Sequence, residues 1–393
     1  MSSLRNNQTA IGATIISLVA SGRATTRTAI AQTLGWSPST VSAYVQQLLD
    51  DGALAQTQIM TGRRGRPASL LWLADDSGRI VAVDLGGRHA SLAVMSLAGV
   101  IEQRADLSID LAQPPEAVLE GIAKKAEELV AESVPNHSLR ALGLAIPGPV
   151  DSDQGIVTMP ARMPGWAGFA VRNWLTNRLG VPVFIENDAN LMAYAEHVVR
   201  QAGLTSTVTV KAGTGIGAGI IVDGTIYRGA TFAAGDITHY RVAAAGDAPC
   251  SCGNLGCLET IASGAALVAA LRAQGFSVAT TGDVVALARG GDPAATTALR
   301  AAGANLGQVL CAVVNFFNPS AVYLGGLMAT VEPFVAAVRA ELYKGSHPLV
   351  TSNLLVEPTR AGADGVLIGC GRLAIEESLD LTPHGTTTTD QEE

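Results

Sequence analysis

Long apolar runs are missing from this chain: Asp, Arg or Gly interrupts every stretch before it reaches the length of a membrane-spanning helix. We therefore expect no transmembrane helix. The near N-terminus lacks the unbroken apolar region of a secretory signal, although Ile11 to Ala20 is moderately apolar. A cytoplasmic protein is the expectation. Charge is sparse, at 15% of residues, while 48% are hydrophobic, ample for a sizeable core. No short internal repeat is visible. No dinucleotide-binding fingerprint is present either, because the glycines of Gly213-Thr-Gly-Ile-Gly-Ala-Gly219 have the wrong spacing and lead into a strand. A length of 393 residues is too great for one small domain and fits two or three.

The net charge of −8 is unevenly shared. Residues 1–72 hold six Arg against Asp50 and Asp51, a balance of +4, which leaves −12 for the remainder. A small basic module on an acidic body suggests a DNA-binding head. Ile11, Ile15, Leu18 and Val19 predict a first helix over 8–21, ended by Gly22. Thr25 or Thr26 caps a second helix through Leu34, and Gly35 makes the turn. Ser37, with Pro38 behind it, starts a third. Val41, Tyr44, Val45, Leu48 and Leu49 form its buried stripe, leaving Ser39, Thr40, Ser42, Ala43 and Gln46 exposed. This is a helix-turn-helix pattern, whose last helix enters a major groove. Gly52-Ala-Leu-Ala and Leu70-Leu-Trp-Leu73 read as two strands of a wing, joined by Thr61-Gly-Arg-Arg-Gly-Arg-Pro67. Arginines spaced by glycines suit phosphates and a minor groove. The DNA-contact candidates are Arg27, Ser37, Ser39, Thr40, Ser42 and Gln46 on the helices, and Arg63, Arg64 and Arg66 on the wing.

Cysteine is scarce, yet three of the five fall together. Gly235-Asp-Ile-Thr-His239 is followed by Cys250-Ser-Cys-Gly-Asn-Leu-Gly-Cys-Leu-Glu259. Three thiolates and an imidazole are the donors that tetrahedral zinc prefers. Gly253 and Gly256 allow the tight backbone this needs. A disulfide cluster or unrelated buried thiols are the competing readings. Cys250 and Cys252 are too close in sequence to bridge easily. The metal ligands are then His239, Cys250, Cys252 and Cys257, with no obvious room for a catalytic water. Cys311 and Cys370 lie among apolar residues, as buried free thiols do.

The 235–259 stretch resembles the zinc-and-sugar signature of the ROK family (repressors, open reading frames and sugar kinases). The resemblance covers roughly 1–377 and implies a fold: α/β, an N-terminal winged helix-turn-helix followed by a two-lobed actin-like ATPase (ribonuclease H-like) body. The implied domains are 1–73 for the head, 74–79 for a linker, 80–377 for the sugar-binding, kinase-like body, and 378–393 for a disordered tail. It further implies that His239 joins the metal to the sugar, with Glu259 beside it accepting a hydroxyl. Pro147-Gly148-Pro-Val-Asp151 lies near the sugar. In Glu186-Asn-Asp-Ala-Asn190, Asn187 bonds the sugar and Asp188 is the general base, if the chain is a kinase. A helix cap is the plainer role for either residue. Arg162 stands one residue before the Met163-Pro-Gly-Trp166 loop, where the kinases offer Asn, and Asp236 replaces their usual Glu. The implied ATP and phosphate residues are Asp84, Gly86 and Gly87, then Gly213, Thr214, Gly215 and Gly217, and the turn Gly325-Gly326. Arg88 departs from the kinases' Thr.

Two functions compete on this reading. One is a sugar-responsive transcriptional regulator, with operator DNA and a sugar as partners, structural Zn2+ as cofactor, and a homodimer or dimer of dimers as assembly. The other is an ATP-dependent sugar kinase carrying a DNA-binding head, which would add Mg-ATP as a cofactor. The head favours the regulator, since catalysis has no use for it; Asp84, Asp188 and the 213–219 loop keep the kinase in play. If the wing reads DNA, replacing Arg63, Arg64 and Arg66 together by Ala will weaken binding to all sequences and flatten its salt dependence. Changes at Ser39, Thr40 or Ser42 will instead shift sequence preference. Fluorescence anisotropy across a salt series measures both, and full affinity of the triple variant at every salt concentration would remove the wing assignment.

Overall fold

The computed structural model describes residues 14–50, 52–59, 68–74, 78–133, 138–158, 163–200 and 204–378. The start of the first helix, Arg63, Arg64, Arg66, Arg162, part of the linker and the tail from 379 on lie outside the described residues.

The head opens with α1 (14–20), which stops at Gly22 in the left-handed region (φ 69°). Thr26 is the cap of α2 (Arg27–Leu34), its side chain accepting from the Ala29 N–H. Gly35 closes α2 with φ 67°, and α3 (Pro38–Asp50) follows. Ile15, Ile30, Val41 and Val45 are buried in one small core with Leu54 and Leu71. The wing is β1 (Leu54–Ile59) paired antiparallel with β2 (Ala68–Leu73), register Leu54 to Leu73. The Leu71 N–H donates to the Thr25 carbonyl at 2.8 Å, tying wing to helices.

The first sheet of the body contains β3 (Arg79–Leu85), β4 (His89–Met95) and β5 (Ile101–Ser108). After α4 (Pro115–Ser133) come β6 (Leu139–Ile146), the small hairpin β7 (Val150–Asp151) and β8 (Ile156–Val157), α5 (Val171–Leu179) and β9 (Val183–Asn187). The strand order is β5-β4-β3-β6-β9. The apolar strand β3 lies at its centre with Ile80, Val81, Ala82 and Val83 wholly buried, whereas the edge strand β5 alternates partly buried and exposed residues. The helix α6 (Asp188–Arg200) then leads into a second sheet. That sheet uses β10 (Ser206–Ala212), β11 (Ile216–Val222) and β12 (Thr225–Ile226). It continues, after α7 (Glu259–Ala262), α8 (Gly264–Ala273), α9 (Thr281–Arg289) and α10 (Pro293–Phe317), with β13 (Ala321–Gly325). Then come α11 (Glu332–Gly345), α12 (Pro348–Thr351), β14 (Leu355–Pro358) and α13 (Gly365–Ser378). Its order, β12-β11-β10-β13-β14, repeats that of the first: three antiparallel strands, then two parallel ones. Two lobes of one topology are thus present without an internal sequence repeat.

Several sequence expectations need correction. The Ala-rich stretch 258–274, whose pattern predicts one helix, forms two, because Ser263 adopts an extended conformation and caps α8. Cys311 is only partly buried, its thiol donating to the Gly307 and Glu341 carbonyls at 3.2 Å each. Cys370 is buried, which pushes its thiol up to about 12. By length and composition α10 is apolar enough to cross a membrane, with a mean hydropathy of 1.2. Here it is a core helix: Leu299, Leu306, Leu310 and Val314 are buried against the second lobe.

α6 and α13 lie side by side between the lobes at very short range. A Cβ on Gly369 would come within 1.9 Å of the Leu191 carbonyl oxygen. Gly369→Ala must therefore separate the helices. It is expected to cost about 1–3 kcal/mol and lower the melting temperature by several degrees. At Gly121 in α4 a Cβ meets only Leu107, at an ordinary 3.6 Å. Gly121→Ala is expected to stabilise by about 0.5–1 kcal/mol. Thermal melts of the two variants check both signs.

Candidate functional site

Between β12 and α7 the chain forms a loop folded on itself by two isolated bridges, Arg241 with Cys257 and Pro249 with Leu255. The Cys250 N–H donates to the Asn254 carbonyl at 2.9 Å, and the Gly256 N–H to the Ala248 carbonyl at 2.8 Å. Gly253 and Gly256 take φ of 92° and 74°, and a Cβ on Gly256 would lie 2.5 Å from the Gly246 carbonyl oxygen. These turns gather one ligand atom each from His239, Cys250, Cys252 and Cys257, all within 4.8 Å of one another. The cluster can hold a metal ion. His239 Nδ1 is 3.5 Å from Cys250 Sγ, and the sulfurs of Cys252 and Cys257 are 3.7 Å apart. Tetrahedral bonds of the usual zinc lengths require about 3.6 Å and about 3.8 Å for those separations. The residues fit. With Nδ1 turned to the cluster, Nε2 is left for another partner.

Glu259 begins α7 and is buried. Its Oε2 accepts from Thr238 Oγ1 at 2.5 Å and from the Ile216 N–H at 3.3 Å, and its own N–H donates to the Thr238 carbonyl at 3.0 Å. The carboxylate is thereby fixed to the neighbour of His239 on one side and to the start of β11 on the other. The same turn is held from below by α8, whose first N–H groups, Gly264 and Ala265, donate to the Gly213 and Thr214 carbonyls at 2.9 and 3.0 Å.

The β10–β11 hairpin also packs on α6, since a Cβ on Gly217 would sit 3.1 Å from that of Ala189. Asn187 caps α6: its Oδ1 accepts from the Ala189 and Asn190 N–H groups at 2.9 and 3.1 Å. Its Nδ2 donates to the Gly148 carbonyl at 2.9 Å, which brings Gly148 and Asn187 together. The side chain does cap the helix, and one amide N–H remains for a ligand. Beside it, Asp188 Oδ2 accepts from Lys211 Nζ at 2.6 Å. Lys211, at the end of β10, lies 4.0 Å from Asp84 Oδ1 on β3, so it faces carboxylates from both lobes. Burial works to lower the lysine's pKa, but the two carboxylates outweigh it and raise it. Asp84 is raised in turn, chiefly by burial; Lys211 opposes this, and Asp188 adds to it.

Other candidates stand apart. Asp236 is exposed. Gly86 and Gly87 form the expected tight turn, the Gly86 N–H donating to the His89 carbonyl at 2.8 Å, with Arg88 exposed at its tip. Gly325 and Gly326 end β13 in close contact with Met192 and the Ala212 backbone. For Mg-ATP the residues present do not fit, because an ammonium group already pairs with Asp188, the carboxylate expected as base, and lies 4.0 Å from Asp84, the one expected beside the phosphates. Sequence reasoning passed over Lys211, Thr238 and Arg228. Arg228 donates to the buried Glu186 at 2.7 Å. A lone lysine between Val210 and Ala212 was the available signal.

In the head, Ser37 Oγ accepts from the Thr40 N–H at 3.1 Å and lies 2.8 and 2.7 Å from the Ser39 and Thr40 hydroxyls. Ser39, Thr40, Ser42 and Gln46 are exposed. Arg27 Nη1 donates to Gln56 on β1 at 2.8 Å, and Gln46 Nε2 to Asp50 at 2.9 Å.

Residues 80–377 match the model of the ROK family, and residues 9–58 match the IclR helix-turn-helix domain. The chain belongs to the ROK family. Among its relatives, the xylose repressor of Bacillus subtilis (strain 168) is 28% identical over 360 residues, covering 90% of this chain and 92% of that protein. The crystal structure of a ROK family transcriptional regulator, a homologue of the E. coli MLC protein, superposes with a TM-score of 0.80 at 23% identity. It covers 95% of this chain and 96% of that one, and so shows the fold over head and body together. A ROK family glucokinase from Streptomyces griseus, solved with glucose and AMPPNP, gives a TM-score of 0.65 at 27% identity. It covers 99% of that chain but only 76% of this one.

Cys252→Ser removes one donor of a four-donor set. Metal content of the purified protein is expected to fall from about one ion per chain to a small fraction of that, with helix content close to wild type. Elemental analysis and circular dichroism check this; metal-free wild-type protein, purified without chelator, would overturn it.

Proposed function

We propose that this chain is a sugar-responsive, DNA-binding transcriptional repressor whose ROK body binds a sugar without phosphorylating it. The observation that carries the reading is the helix-turn-helix head joined to the ROK body, matched end to end by repressors and only in the body by glucokinases. The α3 N-terminus, with Ser39, Thr40 and Ser42 exposed, is suited to base edges, and the 62–67 wing to phosphates. Two-fold pairing of chains would set half-sites about 34–36 Å apart, or a multiple of that. Such a regulator works in the cytoplasm.

Zinc is the ion that the three thiolates and His239 suit best, and its role is to position. It holds His239 by Nδ1 and leaves Nε2 toward a sugar hydroxyl, while Thr238 and Glu259 follow the same loop. Asn187, Asp188 and the Gly148 loop supply the opposite wall. Arg162 sets the charge of the ligand: a guanidinium favours a sugar acid or sugar phosphate, with a charge-assisted bond of about 1.5–3 kcal/mol. If Arg162 pairs with an acidic neighbour instead, the ligand is neutral, and xylose comes first on the panel because B. subtilis supplies a xylose repressor among the relatives.

The test is operator binding by fluorescence anisotropy, with selected DNA, against neutral, acidic and phosphorylated sugars, alongside an ADP-release assay with Mg-ATP. One sugar is expected to change DNA affinity at least about tenfold, which is about 1.4 kcal/mol of coupling. ADP release is expected to stay at background. Multiple turnover on a sugar with DNA affinity unchanged would establish the kinase reading instead.

A further inference from the structure

Among the described residues, Lys211 is the one cation placed against both of the carboxylates to which kinase-like chemistry is assigned. Its strand is part of the second sheet, Asp84 belongs to the first, and Asp188 opens the helix between them. Nζ is 2.6 Å from Asp188 Oδ2 and 4.0 Å from Asp84 Oδ1, and that Asp84 oxygen is buried with no hydrogen-bond partner. Both carboxylates therefore lie within one ammonium's reach, the arrangement in which a divalent ion would bridge them. Phosphoryl transfer needs a divalent metal to bridge the phosphates and a carboxylate free to orient the attacking hydroxyl. Here one oxygen of Asp188 is committed to a covalently tethered charge.

We infer that Lys211 is a built-in counter-cation that takes the place of a divalent metal between Asp84 and Asp188, and so keeps the cleft in a binding form. The inference deepens the sensor reading and rests on it. A tethered ammonium differs from Mg2+ in three ways that matter. It cannot leave, it carries one charge rather than two, and it offers three donors but no open coordination position for phosphate oxygens. Asp188 keeps its other oxygen for a sugar hydroxyl, so Lys211 orients a binding carboxylate and is a positioning residue.

The test uses the full-length protein, saturated with Zn2+ so that the thiolate cluster is filled, and titrates Mn2+ by electron paramagnetic resonance. Wild type is expected to take up no Mn2+ in the cleft. Lys211→Met is expected to gain one Mn2+ per chain, bound at least about tenfold more tightly than by wild type, and Lys211→Met with Asp84→Asn to lose it again. A purely structural lysine would lower the melting temperature without creating this metal dependence. Lys211→Gln, neutral but able to hydrogen-bond Asp188, must show the same gain and serves if the Met variant does not fold. Wild-type Mn2+ uptake that Asp84→Asn abolishes, or a variant with no gain, overturns the inference. Either result leaves the wild-type DNA-release measurement untouched, whereas failure of the sensor reading appears in that measurement alone.

Discussion

Buried carboxylates around α6 are the constraint on which the two-lobed body depends. Glu186 just before the helix, Asp188 at its start and Glu196 in its last turns cannot be left unpaired inside the protein, because an isolated buried charge costs many kcal/mol. Each is answered from the second lobe or the crossing that follows it. Arg228 meets Glu186 at 2.7 Å, and Lys211 meets Asp188 at 2.6 Å. Glu196, wholly buried, accepts from the Arg360 and Ala361 N–H groups at 2.8 and 3.1 Å and from Arg200. Arg200 goes on to Glu357 at 2.6 Å and stacks 4.1 Å over the Tyr323 ring. Removing one partner from such a pair costs about 3–5 kcal/mol, more than the net value of forming it. The pairs therefore specify where α6 sits rather than supplying most of the stability, which comes from the apolar clusters on either side.

The metal cluster solves a different problem. Residues 227–258 contain little regular structure, and a loop of that length pays a large conformational entropy unless something cross-links it. Two bridges and tight glycine turns do so, a metal held by the four gathered donors would add a further cross-link, and the folded loop delivers Thr238 and Glu259 to the start of β11. The His239–cysteine loop, the hairpin and the start of α6 thus form one continuous wall: Glu259 to Ile216, Gly217 to Ala189, Asp188 to Lys211.

Much of this was legible in the sequence wherever residue type alone carries the constraint. The Cys-x-Cys-x4-Cys run with His239, the Ser37-Pro38 helix start and the apolar β3 are local signals, and the structure has the cluster, α3 and a central buried strand. The break at Ser263 was hidden because Leu258 to Gln274 keeps a helical pattern across it, and only the extended Ser263 backbone interrupts. α11 carries Phe334, Val335, Val338 and Leu342 at helical spacing, but its start has no side-chain cap to mark it in the sequence. Asn187 shows the limit most clearly. Its sequence suited both a sugar ligand and a helix cap, and the structure gives it the cap while leaving one N–H unspent. Lys211 stands out as a lone lysine among apolar residues, but its pairing was unreadable for a stronger reason: its partners are 127 and 23 residues away on two other elements, and only the folded register of β10 brings them together.

What joins this cleft to the head is packing rather than charge. Leu73, the last residue of the wing strand β2, packs on the head's core and also on a body cluster formed by Ile80, Leu97, Ala141, Ala374 and Ile375. Ala374 and Ile375 belong to α13, and α13 lies against α6 so closely that Gly369 has no room for a methyl group beside Leu191. A close-packed contact of this kind transmits displacement instead of absorbing it. A shift of the α6 N-terminus, where Asn187 and Asp188 face the cleft, is therefore borne by α13 and arrives at Leu73. Contiguity by itself is a route and not a switch; it becomes one only when ligand binding prefers one position of α6 over another. The ion pairs at Glu186, Asp188 and Glu196 hold α6 in the position seen here, because breaking a buried pair is costly.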